Sequence, residues 1–201
     1  GDKLYVPIYR LNLLQQYRGP QGNVRLDKLG GTRWAKTRKK VKDAMIQMAH
    51  RLLEVQARRS ALSGFAIDPP DQSFRDFEAR FAYEETPDQR SAIEKVIDDL
   101  QDQKPMDRVV CGDVGFGKTE VAIRATLLTV LGGYQASVLV PTTVLAEQHG
   151  ATFRERLEAE GVRVEVLNRF RKPAEIKAIV KQVREGKVDV LIGTHRILSQ
   201  D

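Results

Sequence analysis

The sequence predicts an α/β fold from about Thr86 onward, with a parallel sheet flanked by helices. Two observations support this prediction: short apolar runs alternate with longer segments of helical period, and glycines follow the ends of three of those segments. The predicted strands are residues 108–111, 136–140, 162–167 and 188–192. The predicted helices are residues 87–100, 118–131, 143–159 and 173–185.

The part of the chain before Thr86 is predicted to be organised differently. Residues 4–7 predict a short strand that has no partner in this sequence, and we expect residues 1–30 to be the end of a small β domain and a loop. Residues 31–85 predict a long connecting helix followed by a linker. The helix is predicted because apolar side chains recur on one face. They are Trp34, Val41, Met45, Met48, Leu52 and Val55.

Positive charge is concentrated in the predicted connecting helix. The net charge of the 201 residues is +6, and residues 31–62 alone hold nine Lys or Arg against two acidic residues, Asp43 and Glu54. Such a face is either a solvated helix surface or a contact surface for nucleic-acid phosphates, and the sequence leaves both interpretations open.

Composition also restricts the environment that we expect for the protein. No apolar run approaches the roughly 20 residues that a helix needs to cross a bilayer, so we expect no membrane association. A single cysteine, Cys111, excludes a disulfide framework. We therefore expect a reducing, cytoplasmic location and a core-packing role for Cys111.

A complete phosphate-binding loop follows the apolar run at residues 108–111. Its eight residues are Gly112, Asp113, Val114, Gly115, Phe116, Gly117, Lys118 and Thr119. The glycines let the backbone turn tightly, so that N–H groups point at a polyphosphate on the N-terminus of the next helix. Lys118 is expected to reach the β- and γ-phosphates and to support phosphoryl transfer, while the Thr119 hydroxyl holds Mg²⁺.

Further motifs favour a nucleic-acid motor over a kinase or a GTPase. Residues 86–89 predict a capped helix start, with Thr86 and Gln89 closing a capping box. The segments 141–143 and 193–196 follow two predicted strands and carry hydroxyls and free N–H groups that can hold a nucleic-acid phosphate. An ordinary helix cap is the alternative interpretation of these segments. Because ligands of open α/β sheets bind at the carboxyl ends of strands, we expect one shared surface.

Together, residues 86–89, 112–119, 141–149 and 193–198 resemble the motifs of superfamily 2 DNA translocases. Within that superfamily the chain is most similar to the translocases that couple transcription to DNA repair, and RecG-like fork-remodelling helicases are the nearest alternative. Phe116 and the pair at residues 169–170 favour the first group, as do Lys28, Leu29 and Trp34 in the first part of the chain. The resemblance covers essentially the whole chain. Asn168 is a departure, because a serine is expected there.

This resemblance implies a RecA-like lobe over residues 86–201, as part of an ATP-driven double-stranded DNA translocase. Such a motor displaces stalled RNA polymerase and helps to recruit nucleotide excision repair proteins. The N-terminal region would contact the β subunit of RNA polymerase. The residues implied to bind ATP are Gln89, which would select adenine, and Gly112, Gly115, Phe116, Gly117, Lys118 and Thr119. Those implied to contact DNA are Thr142, Thr143, Arg169, Thr194 and His195, with a packing role as the alternative for His195.

The acidic pair that holds magnesium and positions the attacking water in such motors is expected to lie beyond this chain. Asp201 is the sole acidic residue after Ile192, and Asp98 and Asp99 precede the loop. We therefore expect the chain to bind nucleotide weakly and not to hydrolyse it. The alternative from another class of protein is a non-catalytic interaction module, in which the N-terminal region and the basic helix hold polymerase or DNA.

Overall fold

A computed structural model describes residues 3–16 and 30–199 of the chain. Two compact units are present, Gly1–Arg58 and Arg59–Asp201. The predicted domain boundaries at residues 30 and 85 remain predictions. Lys28 and Leu29, which contribute to the resemblance, lie outside the described residues, as does Asp201.

The first unit contains a 3₁₀ helix, Ile8–Leu13, and most of a long helix, α1, Thr32–Ala61. A single long helix is present where one was predicted, and every α1 residue within this unit is exposed. Its connecting role remains a prediction. The predicted strand at residues 4–7 is wrong. A strand exists through hydrogen bonds to a neighbouring strand, and no described residue supplies that neighbour. Among the described helices, none is long and apolar enough to cross a membrane.

The second unit is built around a parallel sheet of three described strands. They are β1 Ala136–Leu139, β2 Val164–Leu167 and β3 Val190–Gly193, and their spatial order is β1-β3-β2. The register aligns Leu139, Gly193 and Leu167, the last residues of the three strands. All three strands therefore end at the same edge of the sheet, as predicted for parallel strands joined by helices.

Four helices of the second unit agree closely with the predicted ranges: α3 Pro87–Gln101, α4 Lys118–Leu131, α5 Thr143–Leu157 and α6 Pro173–Arg184. A further helix, α2 Gln72–Ala79, lies in the segment that was predicted as a linker. Local signals set their first residues. Asp71 caps α2 by accepting a hydrogen bond from Phe74 N, and Thr86 and Gln89 form the predicted capping box of α3. Helix α5 ends in a short 3₁₀ turn, Glu158–Glu160, rather than continuing to residue 159 as an α-helix.

The largest core cluster lies between one face of the sheet and helices α2, α4 and α5. Phe74 and Phe77 of α2 and Leu127 of α4 have no exposed surface, and Phe153 of α5 is 1% exposed. Val166 of β2 points into the same cluster. A smaller cluster joins α3 to α4. Helix α4, which follows the phosphate loop, is thus fixed by packing on both sides.

The predicted strand at residues 108–111 is wrong within the described part of the chain. These residues have no hydrogen-bonded strand neighbour, and Val109 is 83% exposed. Only Val110 of this segment packs, against the smaller cluster between α3 and α4. Cys111 is exposed, so its predicted core-packing role is also wrong. Both errors have one cause, because burial of this segment requires paired strands beside it.

Candidate nucleotide site and strand-end surface

The phosphate loop joins residue 111 to helix α4 through two glycines in the left-handed region. Gly115 has φ +87° and Gly117 has φ +69°. Gly117 is also the N-cap of α4, so the loop ends where the free N–H groups of that helix begin. This geometry is suited to an anion, because backbone donors and the positive end of the helix dipole face the same place.

The Lys118 ammonium lies inside the loop. Its Nζ donates hydrogen bonds to the carbonyl oxygens of Gly112 and Asp113, both at 2.5 Å. The side chain therefore folds back over the space that a phosphate group would occupy. Thr119, the next residue, is partly buried and lines a cavity beside the loop. A hydroxyl at this position fits the predicted magnesium ligand.

Gln89 connects the start of α3 to the loop. Its Oε1 accepts a hydrogen bond from Thr86 N at 2.9 Å, and its Nε2 donates to the Phe116 carbonyl at 3.1 Å. Both ends of the amide are thus engaged within the protein. A Cβ on Gly117 would lie 2.6 Å from Gln89 Nε2, so a side chain at this position would displace the Gln89 amide. The predicted selection of adenine by Gln89 remains a prediction.

A cavity of about 850 Å³ opens directly beside the loop. The loop contributes Gly115, Gly117 and Thr119 to its wall, and α3 contributes Gln89. The remaining wall includes Arg80, Phe81 and Tyr83 from the segment between α2 and α3, Glu120 and Ile123 from α4, and Thr152, Glu155 and Arg156 from α5. Its combination of aromatic rings, polar groups and a phosphate loop suits a nucleotide.

Charged side chains fill the space behind this cavity. Arg124 is 1% exposed and approaches Glu78 at 3.0 Å, Glu85 at 2.6 Å and Glu120 at 3.1 Å. Its contact with Glu85 is an ion pair that lacks hydrogen-bond geometry at Nη2. Burial raises the pKa of Glu78, against the opposing effect of Arg124. Burial also lowers the Arg124 pKa, but its carboxylate partners outweigh this and raise it.

The predicted DNA-contacting residues follow the aligned ends of the three strands. Thr142 caps α5 through its Oγ1, which accepts from Leu145 N at 3.2 Å, and Thr143 begins the helix. Arg169 follows β2, is exposed, and lies over the Phe170 ring at 5.3 Å. His195 follows β3 and is exposed, which does not favour its packing role. The sheet therefore brings these predicted residues to one edge.

Thr194 differs from the other predicted DNA contacts, because it is only 7% exposed. Its carbonyl accepts a hydrogen bond from Ile197 N at 2.9 Å, which closes the 3₁₀ turn His195–Leu198. Gly193 before it permits close packing, since a Cβ there would overlap the Leu167 carbonyl oxygen. The Thr194 side chain makes no capping hydrogen bond in this turn, and its contact with DNA remains a prediction.

Among the site residues that were absent from the sequence-based prediction, two groups differ in the signal that the sequence carries. The aromatic residues Phe81 and Tyr83 lie in an irregular segment, and no motif marked either of them as a ligand contact. The pair Glu120 and Arg124 had a visible signal, because two opposite charges spaced four residues apart interrupt the otherwise apolar face of α4.

Asn168, the residue that departs from the family pattern, has a structural role. It is fully buried, and it donates to Glu147 Oε1 at 2.6 Å and accepts from Phe170 N at 2.9 Å.

The fold and the loop define an α/β nucleotide-binding domain of the phosphate-loop class. A family model described as DEAD/DEAH box helicase matches residues 86–201, and the chain belongs to that family. A solved structure of RecG bound to a three-way DNA junction aligns with a TM-score of 0.69 and 31% identity. The alignment covers 74% of this chain and 20% of that one, and it confirms the predicted fold class.

The chain is also similar to curated transcription-repair-coupling factors. The protein from Myxococcus xanthus is 51% identical over 98% of this chain, and that from Escherichia coli K12 is 46% identical over 99%. The Bacillus subtilis protein is 43% identical over 100% of the chain. These matches confirm the predicted resemblance. The chain spans only about one sixth of these relatives, between 16% and 17% of their length.

Proposed function

We propose that this chain is the ATP-binding lobe of a double-stranded DNA translocase that displaces stalled RNA polymerase and couples transcription to nucleotide excision repair. The observation that carries the proposal is the phosphate loop at the N-terminus of α4, with Lys118 inside it and an aromatic-lined cavity beside it. The names of the relatives supply the biological context, and RecG supplies a structural neighbour that binds DNA.

Binding of Mg²⁺ and ATP follows from the chemistry of the loop. Lys118 would exchange its two carbonyl partners for β- and γ-phosphate oxygens, and the Thr119 hydroxyl would be a magnesium ligand. The triphosphate would lie on the N-terminus of α4, and the base would enter the adjoining cavity. No acidic pair follows β1, β2 or β3. The carboxylates that activate water are therefore not supplied by the described strands, and we propose binding without hydrolysis.

Duplex DNA would lie along the edge where the three strands end. The exposed residues Thr142, Arg169 and His195 follow separate strands at this edge, and a row of donors placed in this way suits successive phosphates.

Contact with the RNA polymerase β subunit would be made by the N-terminal region, where apolar side chains such as Tyr5 and Ile8 are exposed. The exposed Cys111 is consistent with a reducing, cytoplasmic location.

The nucleotide proposal is tested by replacing the loop lysine. We expect Lys118→Ala to weaken binding of Mg²⁺-ATP by at least about tenfold, because a charge-assisted contact to phosphate contributes roughly 1.5–3 kcal/mol. Titration calorimetry on the chain gives the dissociation constants. Lys177→Ala on the exposed surface of α6 is the matched control and should leave affinity unchanged. Equal affinity of the chain and Lys118→Ala would contradict the proposed nucleotide site.

Two other functions are each favoured by an observation. Similarity to RecG favours a fork-remodelling helicase. The two activities are separated by measuring both fork regression and displacement of stalled RNA polymerase with the longer protein that contains this lobe. The exposed basic residues of α1 favour a non-catalytic interaction module. Partner or DNA capture that is lost in Lys39→Glu/Lys40→Glu, yet is indifferent to ATP and to Lys118→Ala, would support that module.

A further inference from the structure

Part of the cavity wall is an irregular segment, residues 80–86, which lies between α2 and α3. Side chains from other elements hold both of its ends. Arg80 pairs with Glu160, and Glu85 pairs with the buried Arg124 at 2.6 Å. The aromatic residues Phe81 and Tyr83 lie between these anchors, with their ring centroids 5.6 Å apart.

Arg156 of α5 connects this segment to the phosphate loop. Its guanidinium carbon lies 4.1 Å from the centre of the Phe77 ring and 5.3 Å from that of Phe81. The same guanidinium donates two hydrogen bonds to the Glu120 carboxylate, from Nη2 at 2.9 Å and from Nε at 3.3 Å. Glu120 directly follows Thr119, the predicted magnesium ligand. A single side chain thus contacts both the aromatic wall and the residue beside the loop.

The two kinds of contact restrict Arg156 in complementary ways. A two-point hydrogen bond to a carboxylate fixes the plane of the guanidinium, and a planar guanidinium stacks on aromatic rings. The fully buried Phe77 ring provides a rigid support for it. The Phe81 ring lies outside any helix or strand, and Arg156 is one of the side chains that contact it. Arg124 lies 5.4 Å from the same ring and shares Glu120 with Arg156.

We infer that Arg156 is a positioning residue for base recognition, which holds Phe81 as a stacking surface for the purine of a bound nucleoside triphosphate. The inference rests on the proposed nucleotide site and adds to it the residue that orders the base-binding wall. Arg156 acts through Phe81 and does not contact the phosphates. It should therefore affect affinity for the base and leave affinity for the phosphates unchanged.

The test compares two ligands that share the phosphates and differ in the base. Dissociation constants of Mg²⁺-ATP and Mg²⁺-tripolyphosphate are measured by calorimetry for the chain and for Arg156→Met, whose side chain keeps an unbranched apolar stem but has neither the charge nor the planar guanidinium. We expect about tenfold weaker ATP binding, because the base would lose its ordered aromatic stacking partner. Affinity for tripolyphosphate should not change. Arg171→Met, which removes the exposed ion pair with Glu175, is the matched control and should change neither constant.

A double-mutant cycle separates positioning from direct contact. If Arg156 acts through Phe81, Phe81→Leu should weaken ATP binding as much as Arg156→Met, and the double variant should lose no more than Phe81→Leu alone. Additive losses would overturn the inference, because they would show that Arg156 contributes independently of the ring. If Arg156→Met does not fold, Arg156→Lys takes its place. It keeps the charge beside Glu120 but cannot stack, and the same selective loss is expected.

The remaining outcomes distinguish this inference from the proposed function. Equal weakening of ATP and tripolyphosphate in a folded Arg156→Met variant overturns the positioning role and leaves the nucleotide site standing. Failure of the unmodified chain to bind either ligand contradicts the proposed function, and the positioning role with it.

Discussion

The backbone conformation of Gly117 favours glycine, and a side chain there would also displace the Gln89 amide; the two effects can be separated. Its φ of +69° lies in the left-handed region, and a Cβ would also collide with Gln89 Nε2. Gly186 has the same φ of +69°, and a Cβ added there would have nothing within 4 Å. Gly186→Ala therefore isolates the backbone cost, which is about 1–2 kcal/mol for an L-residue in this conformation.

We predict that Gly117→Ala and Gly186→Ala destabilise the protein to a similar extent, but that only Gly117→Ala weakens ATP binding. The added methyl group would displace Gln89 and its hydrogen bond to the Phe116 carbonyl, and so disturb the loop. Urea denaturation measures the first effect and calorimetric titration of Mg²⁺-ATP the second. Weakening of ATP binding by Gly186→Ala to the same degree would show that global stability, and not the loop, sets the affinity.

At the scale of elements, Arg124 joins helix α4 to α2 and to the segment before α3. Three carboxylates surround it, from Glu78, Glu85 and Glu120. Removing the cation would leave these acidic groups beside one another in a largely buried space, and breaking a buried ion pair in this way costs about 3–5 kcal/mol.

We therefore predict that Arg124→Met lowers the free energy of unfolding by roughly 3–5 kcal/mol, measured by urea denaturation at neutral pH. Arg108→Met is the matched control, because Arg108 forms a two-point ion pair with Asp99 on the surface. Water screens that pair, so its loss should have little effect on stability. Similar effects of the two substitutions would contradict the importance of burial.

Elements whose signals are local could be predicted from the sequence, and those that depend on distant partners could not. Thr86, Pro87 and Gln89 determine the start of α3 by themselves, and Gly117 and Lys118 mark the start of α4. Residues 4–7 and 108–111 have the composition of strands, but strand formation requires hydrogen bonds from another part of the chain. The phosphate loop was predictable for the same reason as α3, since its function lies in consecutive residues.

The side-chain wall of the candidate site was not predictable, because its members come from separate elements. Phe81, Glu120 and Arg156 are 39 and 36 residues apart along the chain in sequence order. Nothing in their local sequence indicates that they meet. The aligned ends of β1, β2 and β3 were foreseen, because the parallel topology alone brings them together. The burial of Thr194 was not, since it depends on the turn that follows.

At the scale of the whole molecule, both hydrophobic clusters belong to the second unit. Their buried members all lie at Ile67 or beyond, and no described residue of the first unit is buried. We predict that residues 59–201 alone unfold at the same temperature as the full chain and bind Mg²⁺-ATP equally well. Thermal denaturation followed by circular dichroism, with calorimetric titration, checks both statements.

A control for that comparison is Phe74→Ala in the shortened chain. Phe74 has no exposed surface, and truncation of such a ring costs about 3–5 kcal/mol, so a clear loss of stability should be seen. A large fall in the unfolding temperature upon removal of residues 1–58 would show that the first unit contributes to the stability of the second.

The hydrogen bonds of Lys118 have a consequence for ligand choice. The Lys118 ammonium donates hydrogen bonds to two peptide carbonyls, and a ligand can bind to it only after those hydrogen bonds are broken. Neutral molecules and weakly held monovalent anions such as chloride offer the ammonium no better partner than those carbonyls. A polyanion offers the ammonium a stronger interaction than the two carbonyls. The folded-back lysine therefore favours multiply charged, chelating ligands over monovalent anions.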